Sequence, residues 1–118
     1  MAADPVIPTP ELQFDTETSP SEITFHFTGR IVSSTTSILR DEVRKVIPEK
    51  KPIVLDLSKV SYMDSAGLGT LVGVWVSAKR EGCDLKLVGL SERNKELLRL
   101  TNLDKLFATS IFPDTPSF

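Results

Sequence analysis

Residues 53–69 read IVLDLSKVSYMDSAGLG. Ile53, Val54, Leu55 and Leu57 form an apolar run of strand length broken only by Asp56. Such a run predicts a strand over 53–57 that is buried on both faces and central in its sheet. Further on the spacing turns helical. Leu68, Leu71, Val72, Trp75 and Val76 follow the i, i+3, i+4 rule, which predicts a helix over about 66–80 with those five residues as its core stripe. Ser65, with its acidic neighbour Asp64, therefore sits where a strand hands over to a helix. The first N–H groups of a helix lack intrahelical acceptors and favour a negative group. Asp64 or Ser65 can serve them as a cap; a phosphate on Ser65 would serve them too.

Outward from this stretch, the chain alternates between the two periods. Downstream, Gly82 ends the helix. Leu85, Leu87 and Val88 make a further strand, Ser91 caps a helix carrying Leu97, Leu98 and Leu100, and Asn102 ends that helix. Residues 107–112 add a last strand. Upstream, Pro48 and Pro52 bracket the exit of a helix at about 35–47, with Leu39, Val43, Val46 and Ile47 as its stripe and Ser33, Ser34 and Thr35 as caps. Before it, Ile23, Phe25 and Phe27 alternate with Thr24, His26 and Thr28, a period-two strand ended by Gly29-Arg30. Thr18-Ser19-Pro20-Ser21 is turn material joining that strand to a short first one around Leu12 and Phe14, so the two form a hairpin. The order β-β-α-β-α-β-α-β predicts an α/β fold with a mixed sheet of four to five strands and three to four helices. The domain spans 11–112. Residues 1–10, with Pro5, Pro8 and Pro10, read as a flexible lead-in, and 113–118 as a loose tail.

Composition narrows the function. A chain of 118 residues is one domain's worth, and 40% apolar with 25% charged residues is ordinary for a globular protein. The net charge of −2 offers no polyanion surface, so no direct nucleic-acid contact is expected. Cys83 is the one cysteine and cannot form an internal disulfide, which fits a reducing compartment. No signal-peptide pattern and no apolar run of membrane-spanning length occurs, so the expected location is the cytoplasm.

Catalytic readings find little support. A nucleophile elbow needs G-x-S-x-G, which Ser65 lacks. The one histidine, His26, stands mid-strand on a polar face, where solvent is its simplest neighbour. Gly67 and Gly69 are not followed by a dinucleotide fingerprint, and no P-loop occurs. A receiver-type phosphoaspartate at Asp56 would need an acidic pair after an earlier strand, where Thr28-Gly29-Arg30 stands. Asp56 reads instead as an acceptor for backbone N–H groups near a strand end. No cluster has metal-ligand spacing, so neither metal, cofactor nor enzymatic activity is expected.

The helix after Ser65 carries a different signal. Opposite its apolar stripe lie Ala66, Gly69, Thr70, Gly73 and Ser77, with Val74 beside them. A solvated face normally carries Lys, Glu, Arg or Gln. Two helical glycines cost about 1 kcal/mol each relative to alanine. Close packing within the chain or close approach by a partner's backbone would offset that cost, and the second is the reading adopted.

Phe27-Thr28-Gly29-Arg30-Ile31, Ile53 to Val60, Tyr62 to Gly69, Leu85 to Leu90 and Leu100 to Phe107 together resemble the bacterial anti-sigma factor antagonists, whose fold is the STAS domain. The resemblance covers roughly residues 22–112. It implies partner switching: the antagonist binds an anti-sigma factor that is also an ATP-dependent serine kinase. The kinase phosphorylates the serine after the aspartate, here Ser65, with Asp64, Ala66 and Gly67 adjacent, and a phosphatase resets it. Gly69, Thr70, Gly73, Val74 and Ser77, with Ser33 and Ser34, are the expected partner-binding residues; a weak homodimer is compatible with the same fold. Val32 stands where members often carry an acidic residue. Two rivals remain: a STAS subunit of a larger assembly, such as a lipid-transport complex or signalling scaffold, with Ser65 only a cap, and an enzyme using Ser65 as nucleophile.

Overall fold

A hairpin starts the fold in the computed structural model, which describes residues 11–105. Strands β1 (Leu12–Thr18) and β2 (Ile23–Ile31) pair antiparallel, with Phe14 opposite Phe27. Ser19 holds the turn, its hydroxyl accepting from the Glu22 N–H at 3.0 Å. Helix α1 (Thr36–Val46) and a single 3-10 turn (Ile47–Glu49) lead to β3 (Ile53–Met63), which lies parallel to β2. Helix α2 (Ser65–Arg80), strand β4 (Leu85–Val88) and helix α3 (Glu92–Leu100) follow. The sheet order is β1-β2-β3-β4, mixed, with β3 interior as its apolar run predicts. The expected last strand at 107–112, the lead-in 1–10 and the tail 113–118 lie outside the described residues.

One face of the sheet carries the core. Ile23, Phe25 and Phe27 of β2 pack with Ile53, Leu55 and Leu57 of β3, Leu85 and Leu87 of β4, and Leu39 and Val43 of α1. Phe25 and Phe27 stack at 5.8 Å, and Phe14 meets each ring at 6.0 Å. Helix ends follow the local sequence. Gly82 adopts φ +71°, which a residue without Cβ tolerates. That lets the Cys83 N–H reach back to the Ala78 carbonyl at 2.8 Å. Asn102 does the same at φ +61°, and the Leu103 N–H closes on the Leu98 carbonyl at 2.9 Å.

Three expectations need correction. Strand β2 does not stop at Gly29-Arg30 but reaches Ile31, and β3 runs past Leu57 to Met63. Two register shifts between them, at His26/Thr28 and Gly29/Arg30, insert extra residues into β3 and break its alternation. In α2 the buried residues are Gly67, Leu68, Leu71, Val74 and Ala78, while Val72, Trp75 and Val76 are half-buried. The helix is thus rotated from the expected stripe, and Val74, expected beside the partner face, is a core residue with 1% exposure.

Candidate functional site

Asp64 sets the start of α2. Its backbone is extended, and its Oδ1 accepts the Gly67 N–H at 2.8 Å. This is N-cap geometry, and it satisfies one of the orphan donors of the first turn. Oδ2 accepts from the Ser33 N–H at 3.3 Å, tying the loop after β2 to the start of α2. The Asp64 N–H in turn donates to the Ile31 carbonyl at 3.3 Å. Gly67 is buried against the same residue: a Cβ there would stand 2.1 Å from the Ile31 oxygen. The absence of a side chain at Gly67 is therefore explained inside the chain.

Ser65 is the first residue of α2 and is exposed, as is Ala66. The Ser65 hydroxyl makes no hydrogen bond to another described residue. Asp64 is the cap, so Ser65 is left free of that duty. Among the described residues, the groove that Ser65 lines contains no histidine or cysteine, and His26 lies with Asp56 and Glu17 instead.

Gly69 and Gly73 differ from Gly67. A Cβ at either would meet nothing within 4 Å, so no contact among the described residues requires their lack of a side chain. With Ala66 and Thr70 they line a groove of about 250 Å³ whose other wall is Arg40 and Arg44 of α1, and Val74 forms its floor. The Thr70 hydroxyl donates back to the Ala66 carbonyl at 3.0 Å. Ser77 sits one turn further, in a second hollow with Arg44, Ile47 and Arg80. Ser33 joins the Asp64–Ser65 edge, while Ser34 donates to Glu11 Oε1 at 3.0 Å. Arg40 and Arg44 escape a sequence reading because only packing of α1 on α2 places them there.

The sheet face away from the helices carries a separate polar cluster. His26 and Asp56 are register partners on β2 and β3, with His26 Nδ1 2.8 Å from Asp56 Oδ2. His26 Nε2 meets Glu17 of β1. The hydrogen bonds to Asp56 and then Glu17 raise the His26 pKa above its ordinary value. Burial alone would raise Asp56, but the Ser58 backbone and hydroxyl and then His26 outweigh it and hold the carboxyl below its usual range. Asp56 accepts from the Ser58 N–H at 3.0 Å, the expected kind of partner, but within β3 at a register shift and not near a strand end. His26 is thus paired, not merely solvated: both ring nitrogens have carboxylate partners that only strand register reveals.

A hairpin, two parallel crossovers and an Asp64-capped second helix that opens on Ser65 together define a mixed-sheet α/β fold. The STAS domain profile matches residues 13–117, and the chain belongs to the STAS domain family. It is 31% identical over 99 residues to the anti-sigma-B factor antagonist of Bacillus subtilis, covering 84% of this chain and 91% of that protein. The crystal structure of an anti-sigma factor antagonist from Mycobacterium paratuberculosis superposes with a TM-score of 0.75 at 24% identity, covering 91% of each chain. The Bacillus cell fate determinant SpoIIAA, in its phosphorylated form, superposes with a TM-score of 0.65 at 16% identity, over 84% of this chain and 88% of that one. Among the described residues, no helix is long and apolar enough to cross a membrane.

Proposed function

We infer that this chain is an anti-sigma factor antagonist, a non-catalytic binding protein switched by phosphorylation of Ser65. One observation carries the reading. An exposed serine with an uncommitted hydroxyl opens α2 at the edge of a helix face whose two glycines have open space above them. The name of the Bacillus subtilis relative supports the same function.

In this reading the partner is an anti-sigma factor that is also a serine kinase, and the encounter takes place in the cytoplasm. Its backbone approaches Gly69 and Gly73, where no Cβ holds it off, with Thr70, Ser77, Ser33 and Ser34 around the contact. The kinase then moves the γ-phosphoryl of ATP onto Ser65 Oγ. A bond forms from Oγ to phosphorus, the bond to the β,γ-bridging oxygen breaks, ADP leaves, and the hydroxyl proton goes to the kinase's base. The product carries about −1.5 to −2 charge beside the Asp64 carboxylate. Repulsion and the cost of desolvating a dianion then oppose binding. A phosphatase restores the serine.

The direct test incubates the purified chain with the kinase-type anti-sigma factor encoded in the same genome and labelled ATP, followed by peptide mass spectrometry. Phosphate on Ser65, absent in Ser65→Ala, is the expected outcome. Phosphate on another serine, such as Ser33 or Ser61, would leave Ser65 without this role. If the chain isolated from its cells instead sits in a stable multi-subunit complex with Ser65 unmodified, it is a subunit of a larger assembly.

A further inference from the structure

The geometry points to Arg93 as the positioning residue that receives the phosphoryl group on Ser65 and closes the groove between the start of α2 and α3. The inference rests on Ser65 being the modified residue, as argued above.

A groove of about 530 Å³ runs between these elements, lined by Tyr62, Met63, Ser65, Arg93, Leu97 and Leu100. Ser65 stands on one wall and Arg93 on the other. The Arg93 guanidinium lies over the Tyr62 ring, 4.6 Å from its centroid. Tyr62 is three residues before Ser65, at most about 10 Å of extended chain. Stacking on an aromatic ring engages the guanidinium's face and leaves its N–H edges to bind an anion. Among the described residues Arg93 has no carboxylate partner to occupy those edges.

The other charges in the groove, and the second cation on Tyr62, are already engaged. Arg30 lies over the same Tyr62 ring at 5.6 Å but pairs with Glu11 at 3.3 Å. Asp64, on the Ser65 side, accepts the Gly67 and Ser33 N–H groups. Glu96, on the α3 side, pairs with Arg99 at 2.7 Å. A phosphate entering here meets two carboxylates that repel it and one open fork able to take two of its oxygens. Bridging from α2 to α3 would cover the groove mouth beside Leu100, which is 73% exposed. Phosphorylation would then remove an apolar surface as well as add charge.

The test needs no kinase. Phosphoserine is installed at position 65 during translation of the full chain, and its second ionisation is followed by ³¹P NMR against pH. The same is done in Arg93→Gln, Arg93→Lys and Arg30→Gln. A free phosphoserine titrates near pH ~6. A close cation should lower that midpoint by roughly half a unit or more at a partly exposed site. The expected pattern is a lower midpoint in the native sequence than in Arg93→Gln, part of the shift restored by Lys, no change in Arg30→Gln, and loss of the difference in about 1 M salt. Equal midpoints for the native sequence and Arg93→Gln would overturn the proposal, as would an equal rise in Arg30→Gln, which would mean a diffuse field. Circular dichroism of each variant reports its folding. A kinase that labels Ser65 while Arg93→Gln changes nothing would refute Arg93 alone. Failure of every kinase to label Ser65 would refute the switch and leave the titration result standing.

Discussion

Three glycines lie on one helix, and alanine at each should move stability in opposite directions. At Gly67 a Cβ would stand 2.1 Å from the Ile31 oxygen, 2.8 Å from its carbonyl carbon and 2.9 Å from its Cγ2. Ordinary carbon-to-oxygen contacts are about 3.3–3.6 Å, so α2 must lift from β2 by more than about 1 Å. Overpacking of this kind costs about 1–3 kcal/mol. Lifting also strains the 2.8 Å bond from the Gly67 N–H to Asp64, a cap worth about 1 kcal/mol. The helix-propensity gain of alanine returns about 1 kcal/mol. The net loss for Gly67→Ala is therefore about 2 kcal/mol, or about 10 °C in Tm for a domain of this size. At Gly69 and Gly73 nothing lies within 4 Å, so only the propensity remains. Each alanine there should add up to about 1 kcal/mol and raise Tm by about 5 °C. Thermal and urea unfolding of the three single variants makes the comparison. A Gly67→Ala protein as stable as the parent, or a clear loss at Gly69→Ala or Gly73→Ala, would refute the assignment of one glycine to packing and two to an open face.

Removal of the cap in Asp64→Ala should cost about 1 kcal/mol in urea unfolding, with Asp64→Ser recovering most of it. His26 has a raised pKa in the fold, so its contribution is fully present below about pH 6.5 and is lost as pH rises through the folded value; the Tm gap between the native sequence and His26→Gln should be wider near pH ~5.5 than near pH ~9. Cys83 is buried, and burial raises its thiol pKa, so its reaction with a disulfide reagent in the native protein should be slow and should accelerate in urea. Gly73→Arg should keep the fold yet weaken binding to the anti-sigma partner, measured by calorimetry; retained affinity in a folded variant would move the docking face elsewhere.

The parts legible in the sequence are those fixed by local chemistry. Alternation in β2, the apolar run opening β3, the Ser91 cap and the stops at Gly82 and Asn102 depend on neighbouring residues only. The rotation of α2 does not. Val72, Val74, Trp75 and Val76 make the helix apolar nearly all round, so hydrophobicity alone scarcely chooses a face. The close approach of Gly67 to Ile31 favours one, and that contact joins β2 to α2 with α1 and β3 between them in the chain. The length of β3 was hidden by its bulges, which scramble the period after Leu57. At the site, Asp64 and Ser65 were readable as a strand-to-helix pair. Arg93 over Tyr62, and His26 between Glu17 and Asp56, are juxtapositions made by packing and register.

In the proposed switch, a charge on Ser65 weakens partner binding. Calorimetric titration of the anti-sigma partner with the unmodified chain, Ser65→Ala and the Ser65-phosphorylated chain tests it most directly. Similar affinities are expected for the first two, and a loss of at least about 1–3 kcal/mol, roughly 5- to 150-fold in Kd, for the third. Equal affinity of the phosphorylated and unmodified chains, both folded, would contradict the switch.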